Sequence, residues 1–321
     1  MNSQILEIIR YATLAPSGHN TQPWKFAIKD NTIRILPDFA RHLAIVDPDD
    51  RELFISLGCA LENLVIAAQQ MGYADETALF PANDPDAIVV RLNESKTKSD
   101  SHLFDAIPIR QSTRNEYAKQ KIPTDDLQKL EQASQAPCIS ALLFTENQPI
   151  ESFIEYVKEG NRQQYADKHF VEELIQWLRF NDDEALQRRD GLSTRCSGNP
   201  STPRWLGSFF VGGSNGDDQT EKDAKNIRSS AGMMLFVSER NDKAAWVETG
   251  RAYERYALTA TTLNIKSAFL NQPIEVPTLR SQLQTRFNLA GAYPQLLLRF
   301  GYSQVMPRSL RRPIEAVIGR G

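Results

Sequence analysis

Gly58-CALENLVIAAQQMGY aligns without a gap on Gly250-RAYERYALTATTLNI, setting Gly58 against Gly250, Ala60 against Ala252, Glu62 against Glu254 and Ala68 against Ala260. Both stretches read as helices. In the first, Leu53, Leu57, Leu61, Leu64, Ala68 and Met71 recur at three- and four-residue steps, which marks a core face, and Gly72 supplies a left-handed C-terminal cap. An apolar run follows each helix, Ile88-VVRL and Leu296-LLRF, with an arginine at the matching place, and each predicts a strand. Upstream, Ser3 to Pro16 and Asp126 to Pro137 form a second matched pair, each helical and each closed by Ala-Pro, because proline drives its predecessor out of the helix. The order helix, turn, strand, long helix, strand therefore occurs twice.

The polar stretch Asn93-ESKTKSDSH is the natural joint, dividing the chain into halves of 1–100 and 101–321. The second half carries an insertion from about 161 to 216. It opens with a helix over Val171 to Phe180 and continues through the Gly-, Pro- and Ser-rich stretch Arg189-DGLSTRCSGNPSTPRWLGSFFVGGSNG. Long irregular insertions commonly serve as lids or binding loops. Trp205, Leu206, Phe209 and Phe210 are too apolar for a purely solvated loop.

A chain of 321 residues, about two fifths apolar and a quarter charged, has the composition of a soluble globular protein with a sizeable core. Its net charge of −3 is spread over well-mixed signs, so no chain-wide field draws nucleic acid or an anionic membrane, and neither is expected as a partner. Cys59, Cys138 and Cys196 are odd in number and far apart, which fits a reducing cytosol better than a disulfide framework. The opening residues lack the basic flank and apolar run of a signal peptide, and no stretch reads as a membrane helix, so a cytoplasmic location is expected. His19, His42, His102 and His169 are scattered, and no Cys or His pair has ligand spacing, so no metal site is predicted. No glycine-rich dinucleotide or P-loop fingerprint occurs, and no side chain is singled out as a catalytic acid, base or nucleophile.

Three segments carry chemistry. In Ala15-PSGHNTQPWKF, Pro16, Ser17, Gly18 and Asn20 stop the helix and form a small polar turn, after which Trp24, Phe26 and Ile28 alternate as a strand. Its hydroxyl, amide and N–H groups suit a ring rich in carbonyls and nitrogens, although an ordinary helix-to-strand turn has the same composition. In Ile109-RQSTRNEY, an extended backbone puts Arg110, Ser112 and Arg114 on one side, an arrangement suited to a phosphate. The alternative is a solvated loop in which Ser112 or Thr113 caps a helix. The tail Pro307-RSLRRPIEAV gathers Arg308, Arg311 and Arg312, which by themselves read as a solvent-facing charge run.

Together these segments carry a resemblance. PSGHNTQPW followed by the GCALENLVIAA helix is similar to the flavin-binding signature of the nitroreductase family, and IRQSTRNEY resembles that family's arginine-serine-arginine motif. The tail from Gly301-Tyr302 through Arg311-Arg312-Pro313 resembles the family C-terminus. Ordinary members are homodimers with FMN at the subunit interface. Here the first half has the turn without the arginine motif, while the second has RQSTR and, in place of the turn, the eroded PCISALLF. Two incomplete halves add up to one site, as in the fused, Acg-like branch of the family.

The resemblance implies an α+β, nitroreductase-like fold of two fused halves forming an intramolecular pseudo-dimer, a monomer in that form or a further homodimer. It implies that Arg110, Gln111, Ser112, Arg114, Arg308 and Arg311 hold the phosphate and ribityl end of FMN. Pro16, Ser17, Asn20 and Gln22 would line the ring, and the segment around Asn271 and Gln272 would approach flavin N5. The implied activity is ping-pong reduction of a small-molecule acceptor, such as a nitroaromatic or quinone, with NADH or NADPH as transient donor. A second reading is an FMN-storing or sequestering protein with little turnover, its insertion closed over the ring. A third is a scaffold that has lost flavin, against which the complementary motifs speak.

Overall fold

In the computed structural model, which describes residues 3–95 and 102–319, each half is built on a four-stranded antiparallel sheet and a long central helix. The first half runs α1 (Ser3–Ala12), β1 (Trp24–Lys29), β2 (Thr32–Pro37), α2 (Arg51–Gln70), β3 (Tyr73–Leu79) and β4 (Ile88–Glu94). Ile5, Ile8, Ile9 and Ala12 form the buried stripe of α1, spaced as one helical face requires. Ile33 and Ile35 on β2 and Ile88, Val90 and Leu92 on β4 turn inward at alternate positions.

The second half begins with α3 (His102–Ala106), α4 (Thr124–Ala133), β5 (Ile139–Phe144) and α5 (Asn147–Ala166). An irregular stretch follows: α6 (Lys168–Trp177), β6 (Leu178–Arg179), α7 (Asp182–Arg188), β7 (Leu192–Ser193), α8 (Thr194–Ser197), α9 (Arg204–Gly212) and α10 (Asp217–Arg228). The half closes with β8 (Gly232–Ser238), α11 (Lys243–Thr262), β9 (Lys266–Phe269), α12 (Gln272–Glu275), α13 (Pro277–Arg286) and β10 (Tyr293–Gly301).

The sheets are ordered β1-β2-β4-β3 and β5-β8-β10-β9. Numbered within its own sheet, each has the order 1-2-4-3, and every pairing in these two sheets is antiparallel. This shared topology makes the chain an α+β pseudo-dimer. The halves pack along α2 and α11, each 20 residues long. They meet at Gly58 and Gly250, where a Cβ on Gly58 would sit 2.0 Å from the Val247 carbonyl oxygen and one on Gly250 would sit 1.9 Å from that of Ile55. Val247 and Ile55 each lie three residues before the glycine of their own helix, so the contact is reciprocal.

The tail crosses to the other half. Phe26 N donates to Val317 O at 2.7 Å and Gly319 N to Phe26 O at 2.8 Å, so the end of the chain lies along β1.

Several sequence expectations are corrected. The main sheet of each half has four strands, not two, and the second half adds the short parallel pair β6-β7: β2 and β3 were too short or too polar to stand out, and β8 is a continuous buried run with no alternation. The α1 helix ends at Ala12, where the Thr13 hydroxyl turns back onto Arg10 O at 2.7 Å, and α4 ends at Ala133, where Ser134 does the same to Leu130 O at 2.6 Å. The insertion's first helix covers Lys168–Trp177 and is capped by Asp167, whose carboxylate accepts from His169 N. By length and hydropathy α2 would suffice to cross a membrane, but it is buried in the core on all sides, which explains its uniform apolarity. Most of the expected linker, residues 96–101, lies outside the described residues.

Candidate functional site

The PSGHNTQPW turn is built under strain. His19 (φ 45°), Asn20 (φ 55°) and Gln22 (φ 54°) all occupy the left-handed region without being glycine, at a cost of about 1 kcal/mol or more each. Contacts from three directions hold them. Gln22 N donates to Ser17 Oγ at 2.9 Å, closing the turn on itself. The Asn20 amide donates to Gly191 O in the insertion and Leu310 O in the tail, both at 3.2 Å, and its oxygen accepts from Arg311 at 3.0 Å. The fully buried Gln22 side chain donates to Arg189 O at 2.9 Å and accepts from Arg312 N at 2.8 Å.

Opposite this turn, the chain leaving α3 is extended: Thr113 N donates to Ser267 O at 2.9 Å, and Ser112 bridges Ser267 in parallel. Arg110, Ser112 and Arg114 consequently share one wall of a narrow cleft. Pro16, Ser17 and Asn20 line the cleft from the first half, and Gln111, Arg308 and Arg311 from the second. Nine of the twelve residues singled out in the sequence thus meet at one place. Gln111 also pins the tail, donating to Met306 O at 2.7 Å and accepting from Met306 N at 2.9 Å.

Three of the twelve lie elsewhere. Gln22 is the buried tie just described. Asn271 donates to Glu52 at 3.1 Å and accepts from Leu297 N at 2.9 Å, and Gln272 donates to Asn161 and Asp223 at 3.2 and 3.0 Å. Their amides tie the chain after β9 to α2 of the first half through Glu52 and to the second half through Leu297, Asn161 and Asp223. From that stretch the cleft receives Phe269 instead. Leu192, Ser309 and Pro108 also line it and had no sequence signal, because Leu192 sits in a two-residue strand and the other two in irregular chain. Trp205, Phe209 and Phe210, which an apolar lid would turn inward, are 73%, 73% and 63% exposed on α9, whereas Cys196 of the insertion is buried.

The cleft is strongly electropositive. Arg110 is buried, donates to Leu14 O at 3.0 Å, and has its Nε 3.3 Å from Glu254 Oε1. Burial pushes the Glu254 carboxyl up to about 7 against the pull of Arg110. Burial, reinforced by Arg110, lowers Arg311 to about 9, and burial also lowers Arg114. Burial and then Arg114 hold His19 near 4, so its ring is neutral. Arg308 donates to Pro108 O. Among the described residues none of Arg114, Arg308 and Arg311 has a carboxylate partner, and Arg311 is satisfied only by Asn20 and by carbonyls, including those of Leu14 and Ala15 at 3.0 Å. Four guanidiniums against one half-neutralised carboxylate favour an anion of more than one charge.

The opening is about 90 Å³, well below the several hundred Å³ that organic ligands usually occupy. Leu192 lines it from the insertion, and two residues before it Asp190 ties that segment to the rest of the chain. Asp190 pairs with Arg41 of the first half and, at 2.6 Å, with Arg179, and both guanidiniums lie over the Trp177 ring at 5.3 and 5.9 Å.

No family model matches the chain. It is similar over nearly its whole length to two proteins of Mycobacterium tuberculosis H37Rv. "Putative NAD(P)H nitroreductase Rv3131" is 25% identical over 319 residues, 97% of this chain and 90% of that protein. "Putative NAD(P)H nitroreductase acg" is 24% identical over 326 residues, 98% of this chain and 94% of that protein. A solved nitroreductase with bound FMN from Bacteroides fragilis aligns with a TM-score of 0.40 and 18% identity, covering 66% of this chain and 95% of that one.

Proposed function

We propose, starting from a chain that belongs to the nitroreductase family in its Acg-like branch, that the cleft between the halves holds one FMN and serves NAD(P)H-linked reduction of small acceptors. The observation that carries this reading is the surplus of cationic donors, Arg110, Arg114, Arg308 and Arg311, facing a strained polar turn across a slot. The donor set fits a phosphate monoester. Arg110, Ser112, Arg114 and Arg308 would hold that phosphate, with Arg311 bracing the tail behind them. Pro16, Leu192 and Phe269 offer apolar surface to a flat ring, and the Ser17 to Asn20 turn offers polar groups to its edge. The chemistry supplied by bound FMN is hydride exchange, first with a nicotinamide and then with an acceptor such as a nitroaromatic or quinone.

The test is an anaerobic titration of the purified flavoprotein with NADH and with NADPH, following the oxidised-flavin absorption. Rapid bleaching by one of them, reversed by a nitroaromatic or quinone, is the expected result. A protein that takes up no FMN would overturn the reading.

A second reading, storage of FMN with slow exchange, is favoured by the Asp190 tie. Asp190→Asn leaves Arg41 and Arg179 facing each other with no anion between them, which destabilises the seating of the Leu192 segment. It is expected to speed FMN release by about tenfold or more, since each ~1.4 kcal/mol taken from that seating is a factor of ten. Stopped-flow flavin fluorescence measures this. A variant that releases FMN at the wild-type rate would mean that the tie does not retain it.

A further inference from the structure

Behind the phosphate-binding wall, on the repeat position matched with Glu62, lies Glu254. Its side chain is wholly buried, and neither carboxylate oxygen has a hydrogen-bond partner among the described residues. Its repeat mate is satisfied differently, with Arg251 at 2.9 Å and Arg255 at 3.1 Å from Glu62. The cation paired with Glu254 is Arg110, with Nε at 3.3 Å, and Arg110 lines the cleft. A wholly buried carboxylate with one ion-pair partner and only the neutral Asn63 amide beside it is costly.

We propose that Glu254 is the internal counter-charge of the phosphate-binding arginines, and that a bound dianion displaces it from that role by driving one proton from solvent onto its carboxylate. The inference rests on the reading of the cleft as an FMN site. In the empty cleft Glu254 balances Arg110. When a phosphate takes over Arg110 and Arg114, the carboxylate faces a second anion across the same guanidinium and loses its partner, so its protonated form is favoured.

The charged and titratable groups around it are few. Arg110 and Arg311 come from the cleft, Glu62 and Cys59 from α2, and Tyr253 from its own helix, with Asn63 the neutral neighbour. Burial raises Cys59 and Tyr253, so both stay protonated near neutrality, and Glu62 is neutralised by its two arginines. Glu254, at about 7 in the empty protein, is the group poised to respond. Binding raises it further. Affinity is therefore highest where the carboxyl is already protonated and falls as pH rises through neutrality.

The experiment measures FMN affinity by fluorescence quenching at about pH 6.5 and about pH 8, alongside calorimetry in two buffers of different ionisation enthalpy. If binding raises Glu254 by about one unit, the dissociation constant weakens roughly three- to fivefold across that interval and about half a proton is taken up near pH 7.5. Glu254→Gln should bind FMN with no such trend, while keeping whatever dependence the phosphate's own ionisation contributes. A purely packing role would change affinity equally at both pH values. FMN binding to the wild-type protein with no proton uptake and a pH-independent affinity overturns the inference alone, even should the variant fail to fold. Absence of FMN binding at any pH overturns the reading beneath it as well.

Discussion

Gly58→Ala and Gly250→Ala are each expected to lower the unfolding free energy by about 3–5 kcal/mol, at the upper end of what overpacking costs. The reason is what the new methyl group meets. At Gly58 it would lie 2.0 Å from the carbonyl oxygen of Val247 and 2.8 Å from its carbon; at Gly250, 1.9 Å from the oxygen of Ile55 and 2.9 Å from Cys59 N. These are backbone atoms of the partner helix, so no side-chain rotation gives way, and the axes of α2 and α11 must separate. Alanine's higher helix propensity returns only about 1 kcal/mol. The double variant should cost clearly less than the sum, because helices already parted by one methyl group have room for the second. Gly212→Ala is the control: its new Cβ comes no nearer than 3.8 Å to Ile175 Cδ1, so stability should change by no more than about 0.5 kcal/mol. Urea unfolding followed by tryptophan fluorescence measures all four. A Gly58→Ala protein as stable as wild type would mean that the two halves do not meet along these helices.

The same two glycines explain why so much of the architecture was legible. A close helix crossing restricts both strands of the contact at equivalent places, so the pairings Gly58 with Gly250 and Glu62 with Glu254 survive in the sequence although most of the surrounding residues differ. Away from the crossing the constraint fades. Arg91 and Arg299 occupy matching strand positions, yet Arg91 is exposed on β4 whereas Arg299 is buried over the Tyr117 ring at 4.0 Å and donates to Asn115 O at 2.9 Å. The arginine motif was readable because extended chain has a period of two. Leu192 and Ser309 were not, since a two-residue strand and irregular chain show no period and their position is set by distant partners such as Asn20 and Gln22. Asn271 and Gln272 were named for a backbone N–H that the resemblance implies, and their side-chain amides serve Glu52, Asn161 and Asp223. Glu254 could have been singled out: an acid at the same place in both copies of a central helix asks for a partner, and the partners turn out to differ.

Arg114→Met and Arg110→Met should separate binding from stability, because the two arginines stand in opposite relations to the empty protein. Arg114 has no carboxylate partner among the described residues and is held below its ordinary range by burial, so its charge is a standing cost of the unliganded fold. Replacing it with a side chain of similar length removes that cost, and the FMN-free protein should be as stable as wild type or slightly more so. FMN affinity should nevertheless fall by about a hundredfold, about 2.7 kcal/mol, the scale of losing charge-assisted hydrogen bonds to a phosphate. Arg110, by contrast, is the counter-charge of Glu254 at 3.3 Å. Its loss leaves a buried carboxylate alone, which ordinarily costs about 3–5 kcal/mol, reduced here because a carboxyl at about 7 can take up a proton instead. Arg110→Met should therefore weaken FMN binding and destabilise the empty protein, more at pH 8 than at pH 6. Thermal melts with and without FMN, paired with fluorescence titrations, resolve the two patterns. An Arg114→Met protein that binds FMN normally would remove Arg114 from the phosphate site, and one that melts early would show that its charge supports the fold.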